Sequence, residues 1–221
     1  HPAAAYAIAA APARYALERR QWDEAAALPL GVPDTFPWED FPEHEAITYW
    51  ARGLGAARSG DLSTARAVVD TLEAIHERTL KKAEEYWALH VDARRTTVQA
   101  WIAHADGDTD RALMLMRAAA DREDSVDKHP ITPSAVLPAR ELLGDLLLVA
   151  NRPMEALAAY RAALAISPNR FRSLYGAGRA AEQAGQSEIA RTYYSILADV
   201  AEQADAERDD LLHVRAFLGE R

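Results

Sequence analysis

The sequence predicts an all-α fold in which antiparallel helix pairs stack one after another into a solenoid. Apolar residues recur at helical spacing along nearly the whole chain, and alternating runs of β-branched residues are absent. The C-terminal part also repeats itself, because Gly144 and Tyr160 reappear 34 residues later as Gly178 and Tyr194. An offset of 34 residues is the length of one helix-turn-helix repeat.

The composition of the chain argues against several classes of function. The 221 residues carry a formal net charge of -9 and include no cysteine. Disulfides, thiolate zinc sites and thiol catalysis are therefore excluded within this sequence. An acidic balance argues against a nucleic-acid partner. No run approaches the roughly 18 uninterrupted apolar residues that indicate a membrane span.

Three looser helix pairs are expected in the first half of the chain. The first has Ala25 at the small position of its second helix, and the next two turn at Gly60-Asp61 and Gly107-Asp108. Gly and Asp suit such turns, since Gly tolerates a left-handed backbone and Asp caps the helix that follows. The predicted ranges of these units are 3–28, 46–79 and 83–123.

Two closely spaced repeats and a cap complete the chain. In the fourth unit, Gly144 lets the two helices approach each other, Tyr160 fills the space towards the next unit, and Pro168 ends the second helix. A final amphipathic segment is expected to cover the open end of the array. The predicted ranges are 137–170 and 171–204 for the repeats and 205–219 for the cap, so one solenoid domain spans 1–221.

Two longer connections interrupt this pattern, at residues 29–45 and 124–134. The first contains Phe36, Trp38 and Phe41. A loop this long is either functional or held in place by its own side chains. We favour a packed loop over a lid across the binding surface.

One motif suggests a cofactor. Gly176, Gly178 and Ala181 have the G-x-G-x-x-A spacing of dinucleotide-binding loops, but that fingerprint must follow a strand, and no strand is predicted. Gly178 corresponds to Gly144 and is interpreted as a packing glycine inside a helix. Gly176 has no such role in this interpretation, so its replacement by alanine is expected to be harmless or slightly stabilising. We predict no cofactor.

Catalytic and metal-binding patterns are also missing. His44-Glu45 lacks the second histidine of the H-E-x-x-H zinc motif, because position 48 is Thr. No two histidines stand four residues apart, and the acidic loops lack the ligand order of a calcium site. Nucleophile-elbow, phosphate-loop and Ser-His-Asp signatures are absent. We predict no catalytic residue, no metal site and no enzymatic activity for this chain.

The fourth unit resembles the tetratricopeptide repeat family. The motif positions read Leu143-Gly144, Leu147, Ala156, Tyr160, Ala163 and Pro168. The phrases "PARYALERRQWDEAAAL", "FPWED" and "PNRFRSLYGAGRAAE" also look like the C-terminal part of long bacterial tetratricopeptide-repeat proteins of unassigned function. The resemblance implies a right-handed α-solenoid with further repeats upstream. Any targeting signal would lie there too, which leaves bacterial cytoplasm or periplasm open.

The resemblance also implies a binding surface. In this family the first helix of each pair lines a concave groove that holds a peptide or a partner helix. Aromatic residues and arginines suit such recognition, although the tryptophans could equally be core and the arginines solvated. Carrying the family positions over residue by residue gives a peptide-binding groove formed by Trp50, Arg58, Arg94, Trp101, Arg172, Tyr175 and Arg179.

Two functions are compatible with these observations. The first is a non-catalytic scaffold that binds a protein or peptide partner of unknown identity. The alternative is the substrate-recruiting or regulatory part of a larger enzyme whose catalytic portion lies upstream of His1. Self-association is left open in both hypotheses.

Overall fold

A computed structural model describes residues 1–127, 135–204 and 208–219. Every regular element within these ranges is helical and none is a strand, which confirms the predicted all-α fold. Residues 128–134 of the predicted 124–134 connection and the first three residues of the predicted cap lie outside them. The helices are α1 (Pro2–Glu18), α2 (Trp22–Ala26), α3 (Pro42–Ser59), α4 (Leu62–Lys81), α5 (Glu85–Ala105), α6 (Thr109–Asp124), α7 (Ala139–Val149), α8 (Pro153–Ile166), α9 (Phe171–Gln183), α10 (Ser187–Val200) and α11 (Asp209–Leu218), with a 3-10 helix at Trp38–Asp40.

The chain folds into two compact units, His1–Ala139 and Arg140–Arg221. In the first unit each helix from α2 to α5 packs against the next helix along the chain, and α3 also packs against α1 and α5. In the second unit α8, α9, α10 and α11 pack in chain order. Each unit is thus a series of helix hairpins, which fits a tetratricopeptide-type fold. A single solenoid through both units remains a prediction.

The Gly-Asp turns lie where the sequence places them. Gly60 has a φ of +94° and Gly107 a φ of +87°, a backbone conformation that other residues adopt only with strain. Asp61 accepts a hydrogen bond from the Thr64 amide at 3.0 Å and so caps α4. The helix pair predicted at 46–79 starts earlier than residue 46. Its first helix, α3, begins at Pro42, and proline favours this position in the first turn of a helix.

Tyr160 spaces three consecutive helices of the second unit. Its ring is fully buried on α8. A Cβ atom added to Gly144 of α7 would lie 2.7 Å from Tyr160 Cε1, and one added to Gly176 of α9 would lie 2.3 Å from Tyr160 Cζ. The hydroxyl donates to Asp145 Oδ1 at 2.6 Å, which fixes the position of the ring. Tyr160 therefore fills the space between neighbouring pairs as predicted.

The expectation that Gly176 is dispensable is wrong. Gly176, Gly178 and Ala181 all lie inside α9, where a cofactor loop would need a strand followed by a turn. A Cβ atom on Gly178 would lie 2.3 Å from Cε1 of Tyr194, just as one on Gly176 would meet Tyr160. Both glycines are therefore sites of close helix approach.

A third close approach joins α2 to α3 in the first unit. A Cβ atom on Gly55 would lie 2.5 Å from the backbone nitrogen of Ala26 and 2.5 Å from the carbonyl oxygen of Trp22. Since both atoms are backbone, no rotamer change could relieve the overlap. Gly55 therefore sets how closely the short helix α2 packs.

The part of the 29–45 loop from Phe36 to Phe41 is packed, whereas most of residues 29–35 are exposed. Trp38 is only 8% exposed, and the Phe36 ring lies 4.8 Å from Trp38 and 5.6 Å from Phe41 between ring centroids. Lys82 Nζ donates to the carbonyl oxygen of Asp40 at 2.7 Å. The loop is thereby tied to the turn between α4 and α5.

Replacing Gly176 with alanine should destabilise the second unit. Overpacking a tight core costs about 1–3 kcal/mol, which exceeds the helix-propensity gain of up to about 1 kcal/mol. Urea unfolding measures the change in the free energy of unfolding. Ser195→Ala, at an exposed position of α10, is the control for the effect of an alanine on helix propensity alone. In a Tyr160→Ala background the cost should shrink, because the ring that the new methyl group meets is gone. An unchanged or raised stability of Gly176→Ala would contradict this account.

Candidate functional site

Three of the predicted groove residues are buried between α3 and α5. Trp50 is 2%, Trp101 3% and Arg94 8% exposed. Trp50 Nε1 donates to Thr97 Oγ1 at 2.9 Å, so this indole ties the two helices together. Trp50 and Trp101 are therefore core residues, which was the alternative to direct peptide contact in the sequence analysis. A partner could reach only the small exposed remainder of these side chains.

Arg58 belongs to a stacked cluster at the C-terminal ends of α3 and α5. Its guanidinium carbon lies 3.8 Å from the ring centroid of Trp101 and 4.4 Å from that of Trp22. His104 meets Trp101 edge to face at 5.7 Å. Trp22, Arg58 and His104 are all half-buried. The cluster holds a cation in a fixed position at the surface of the first unit.

A polar and aromatic cluster lies near the N-terminal ends of α3 and α5. His44 is fully buried there, and its ring meets Tyr6 of α1 at 6.0 Å and Trp87 of α5 at 4.9 Å. One turn further along α5, the His90 ring meets Tyr86 at 4.6 Å. Three neighbouring helices thus converge on this end of the first unit.

Arg94 and His90, the two polar side chains of α5 in this cluster, have few hydrogen-bond partners. Arg94 Nη1 donates to the carbonyl oxygen of Glu43 at 3.5 Å, and no ion pair to Arg94 occurs among the described residues. Burial lowers the pKa of Arg94, although arginine stays protonated in proteins. Burial, together with the charge of Arg94, lowers the pKa of His90 to about 4. His90 Nε2 is buried without a hydrogen-bond partner.

Glu43 adds a buried carboxyl group at the start of α3. The residue is 7% exposed, and Oε2 is buried without a hydrogen-bond partner. Burial raises the pKa of Glu43, and the charge of Lys82 acts in the opposite direction. Sequence reasoning missed Glu43 and His90, because polar residues on an amphipathic helix are normally assigned to solvent.

The predicted groove residues of the second unit are in contact with the C-terminal helix α11. Arg172 is 4% exposed and donates through Nη1 to Asp210 Oδ2 at 2.9 Å. His213 lies 3.3 Å from Arg179 Nη1 through its Nε2, and its ring is 6.1 Å from that of Tyr175. The structure brings Arg172, Tyr175 and Arg179 together, but α11 occupies the side on which they meet.

Glu182 of α9 is hydrogen-bonded to residues of α10 and α11. Its Oε2 accepts from the Tyr194 hydroxyl at 2.8 Å and lies 2.9 Å from His213 Nε2. Burial acts to raise the pKa of Glu182, but the hydrogen bonds of Tyr194 and His213 outweigh it, so the pKa is lowered. This carboxylate therefore fastens α11 to α9 and α10.

Glu141 forms a second buried network in this unit, between α7 and α9. It is 1% exposed and pairs with Arg170, whose Nη2 lies 2.9 Å from Oε1. The Ser173 hydroxyl also donates to it. Burial raises the pKa of Glu141, against the hydrogen bond and the charge of Arg170. The network is satisfied internally and offers no free donor set.

Neither a metal site nor a membrane span stands out in the part of the chain that the structure describes. Within 1–127, 135–204 and 208–219, no three His, Asp or Glu side chains cluster as metal ligands would. No helix of these ranges combines the length and apolarity needed to cross a bilayer. The candidate surfaces are therefore those around Arg58, Arg94 and α11.

Reversing the charge of Arg172 should release α11 from the second unit. Arg172→Glu places two carboxylates together and leaves one buried, which typically costs about 3–5 kcal/mol. Hydrogen exchange should then accelerate in α11 while α3 and α4 stay unchanged. The double variant Arg172→Glu, Asp210→Arg restores opposite charges and should recover part of the protection. Equal exchange in α11 of the wild-type and single-variant proteins would contradict the assigned contact.

The stability of the first unit should depend on the protonation of His90. The unfolded side chain has a pKa near 6.5 and the folded one about 4, so the unfolded state binds the proton more readily between these values. Stability is fully present above about pH 6.5 and falls by up to about 3 kcal/mol as the pH drops towards 4. Urea unfolding across this window should show a shallower fall for His90→Leu. Parallel curves for the two proteins would contradict the shift.

Comparison with known proteins adds a distant structural likeness. No family model matches the chain, and no curated protein matches it either. Among solved structures, MamA from AMB-1 is similar over 89% of this chain and 98% of its own, with 18% sequence identity and a TM-score of 0.40. At that score the likeness does not bear on function. The helix pairing within each unit is what defines the fold.

Proposed function

We propose that this chain is a non-catalytic interaction module whose helix pairs bind a protein or peptide partner. The observation that carries the proposal is the stacked cluster around Arg58. Its cation is held between the rings of Trp22 and Trp101 at 4.4 and 3.8 Å from their centroids. Tryptophan and arginine are the residue types that most often dominate protein interfaces.

Preorganisation makes the Arg58 cluster suited to binding. An arginine that is already stacked loses less side-chain entropy when a partner arrives than one that moves freely. Its charge also lies on the face of two indole rings, where cation–π attraction holds it in place. A partner carboxylate could pair with its charge.

The seven proposed groove residues differ in how far they are accessible. Arg179 is exposed and Arg58 and Tyr175 are half-buried, so these three side chains would make direct contacts. The buried Trp50, Arg94, Trp101 and Arg172 would act through the small part of each that remains exposed, or by holding their neighbours in place. Binding at Arg179 and Tyr175 would have to compete with α11 or accommodate it.

The resemblance to long bacterial tetratricopeptide-repeat proteins supports the same proposal. Repeat proteins of this kind present extended surfaces made of consecutive pairs. The residue types that match the family lie where helices cross, as the contacts of Gly144 and Tyr160 show. Membership of that bacterial group, and the partner's identity, remain part of the proposal.

The test is a peptide-array screen followed by calorimetry with the best binder. Arg58→Ala should weaken its binding at least about tenfold, because interface hot spots contribute about 2 kcal/mol or more. Arg111→Ala is the matched control, since Arg111 is exposed on α6 and is not one of the residues of the stacked cluster. Circular dichroism checks that both variants keep their helices. Equal affinity of the wild-type protein and Arg58→Ala would refute the Arg58 surface.

A further inference from the structure

Arg94 is a buried cation that forms no ion pair in the part of the chain that the structure describes. The residue is 8% exposed, and its hydrogen bond to the Glu43 carbonyl is long at 3.5 Å. The charged or polar groups around it are the phenols of Tyr6 on α1 and Tyr86 on α5, and Glu123 on α6. Glu123 acts on Arg94 through its charge without forming an ion pair with it, and its Oε1 accepts from the amide of Ala139 at 2.8 Å.

Such an arrangement is energetically costly. An isolated charge loses its hydration on burial, and buried charges in proteins are normally paired or neutralised. Arginine cannot shed its proton to avoid the cost. The cation is therefore maintained at the expense of stability.

His90 supplies a second group at the same place. It precedes Arg94 by four residues on α5, so the two side chains share one face of the helix. Its Nε2 is buried and has no hydrogen-bond partner. One turn of α5 thus carries a cation whose printed hydrogen bond is long and an imidazole nitrogen that has no hydrogen-bond partner.

We propose that Arg94 and His90 form a binding site for a carboxylate, with Arg94 supplying the charge and His90 a hydrogen bond from Nε2. The planar guanidinium can donate two parallel hydrogen bonds to a carboxylate. Tyr6 and Tyr86 lie near Arg94, and the low exposure of this arginine keeps most water away, which strengthens each bond. The exposed 8% of Arg94 leaves an opening to solvent.

Charge balance favours a carboxylate over a phosphate. The low pKa of His90, about 4, keeps the imidazole neutral at pH 7, so the site offers a single positive charge. One carboxylate neutralises it. A phosphate dianion would leave an uncompensated negative charge among aromatic side chains, which is unfavourable.

The carboxylate can come from a free organic acid or from a peptide. Because α5 belongs to the proposed binding surface, the peptide source rests on the proposed function, whereas the free acid does not. Acetate is the probe for the site itself. A short peptide with a free C-terminal carboxylate, compared with its amidated form, is the probe for the peptide source.

Thermal unfolding at pH 7 tests the site, with acetate exchanged for chloride at constant ionic strength. The wild-type protein should show a saturable rise in Tm with acetate. Arg94→Met should abolish that rise and unfold at a higher Tm in chloride, since an apolar side chain suits the buried position. Arg78→Met, at an exposed arginine of α4, should keep the acetate response. An equal response of the wild-type protein and Arg94→Met would overturn the proposal.

A spectroscopic readout keeps the test decisive if Arg94→Met fails to fold. Acetate should shift the imidazole resonances of His90 in the wild-type protein, and Arg94→Lys should weaken that binding because the bidentate fork is lost. Unmoved His90 resonances would overturn the site. Displacement of acetate by the free-carboxylate peptide but not by its amide would assign the peptide source, and displacement by neither would assign the free acid. Arg58-dependent partner binding without an acetate response would overturn this site alone.

Discussion

Close approach of helices at glycine is the constraint on which both units depend. Helix axes can come nearer than usual only where no Cβ atom stands between them. At Gly176 the ring of Tyr160 lies where that atom would be, and at Gly55 the backbone of α2 does. The same ring packs on Gly144 of α7, where its hydroxyl reaches Asp145, so the approach that packs these helices also satisfies a buried polar group. The absence of a Cβ atom at these glycines therefore sets the spacing and packing of the helices and lets the buried hydroxyl of Tyr160 form its hydrogen bond.

The 34-residue offset identifies a packing glycine only where the neighbouring repeat also has glycine at the equivalent position. Gly144 and Gly178 stand 34 residues apart and pack on tyrosines that are also 34 residues apart, so the offset identified them. Gly176 has Leu142 as its counterpart, and the alignment therefore made it look dispensable. It packs against the preceding pair, a contact that an internal comparison of single repeats does not contain. The helices, turns and cap were predictable because they depend on local signals.

Family positions likewise predict which helix face a residue lies on, but not its depth. Trp50, Arg94 and Trp101 do lie between α3 and α5, yet they are almost completely buried. Depth depends on the size of the neighbouring side chains and on what covers the face, as α11 does at Arg172. His90 could not be predicted as a site residue at all. Its importance comes from a missing hydrogen-bond partner, which only the packing of three helices reveals.

The two arginines that are buried among the described residues separate a structural role from a binding role. Arg172 and Arg94 are 4% and 8% exposed, so burial imposes a comparable penalty on both. Arg172 has Asp210 at 2.9 Å, and the pair holds the C-terminal helix. A buried arginine that serves packing alone would be expected to have the same kind of partner, since an unpaired charge weakens the fold. Arg94 has no such partner among the described residues, and a nearby imidazole nitrogen is unsatisfied as well. The stability lost there is most simply explained by an acceptor that arrives from outside the chain.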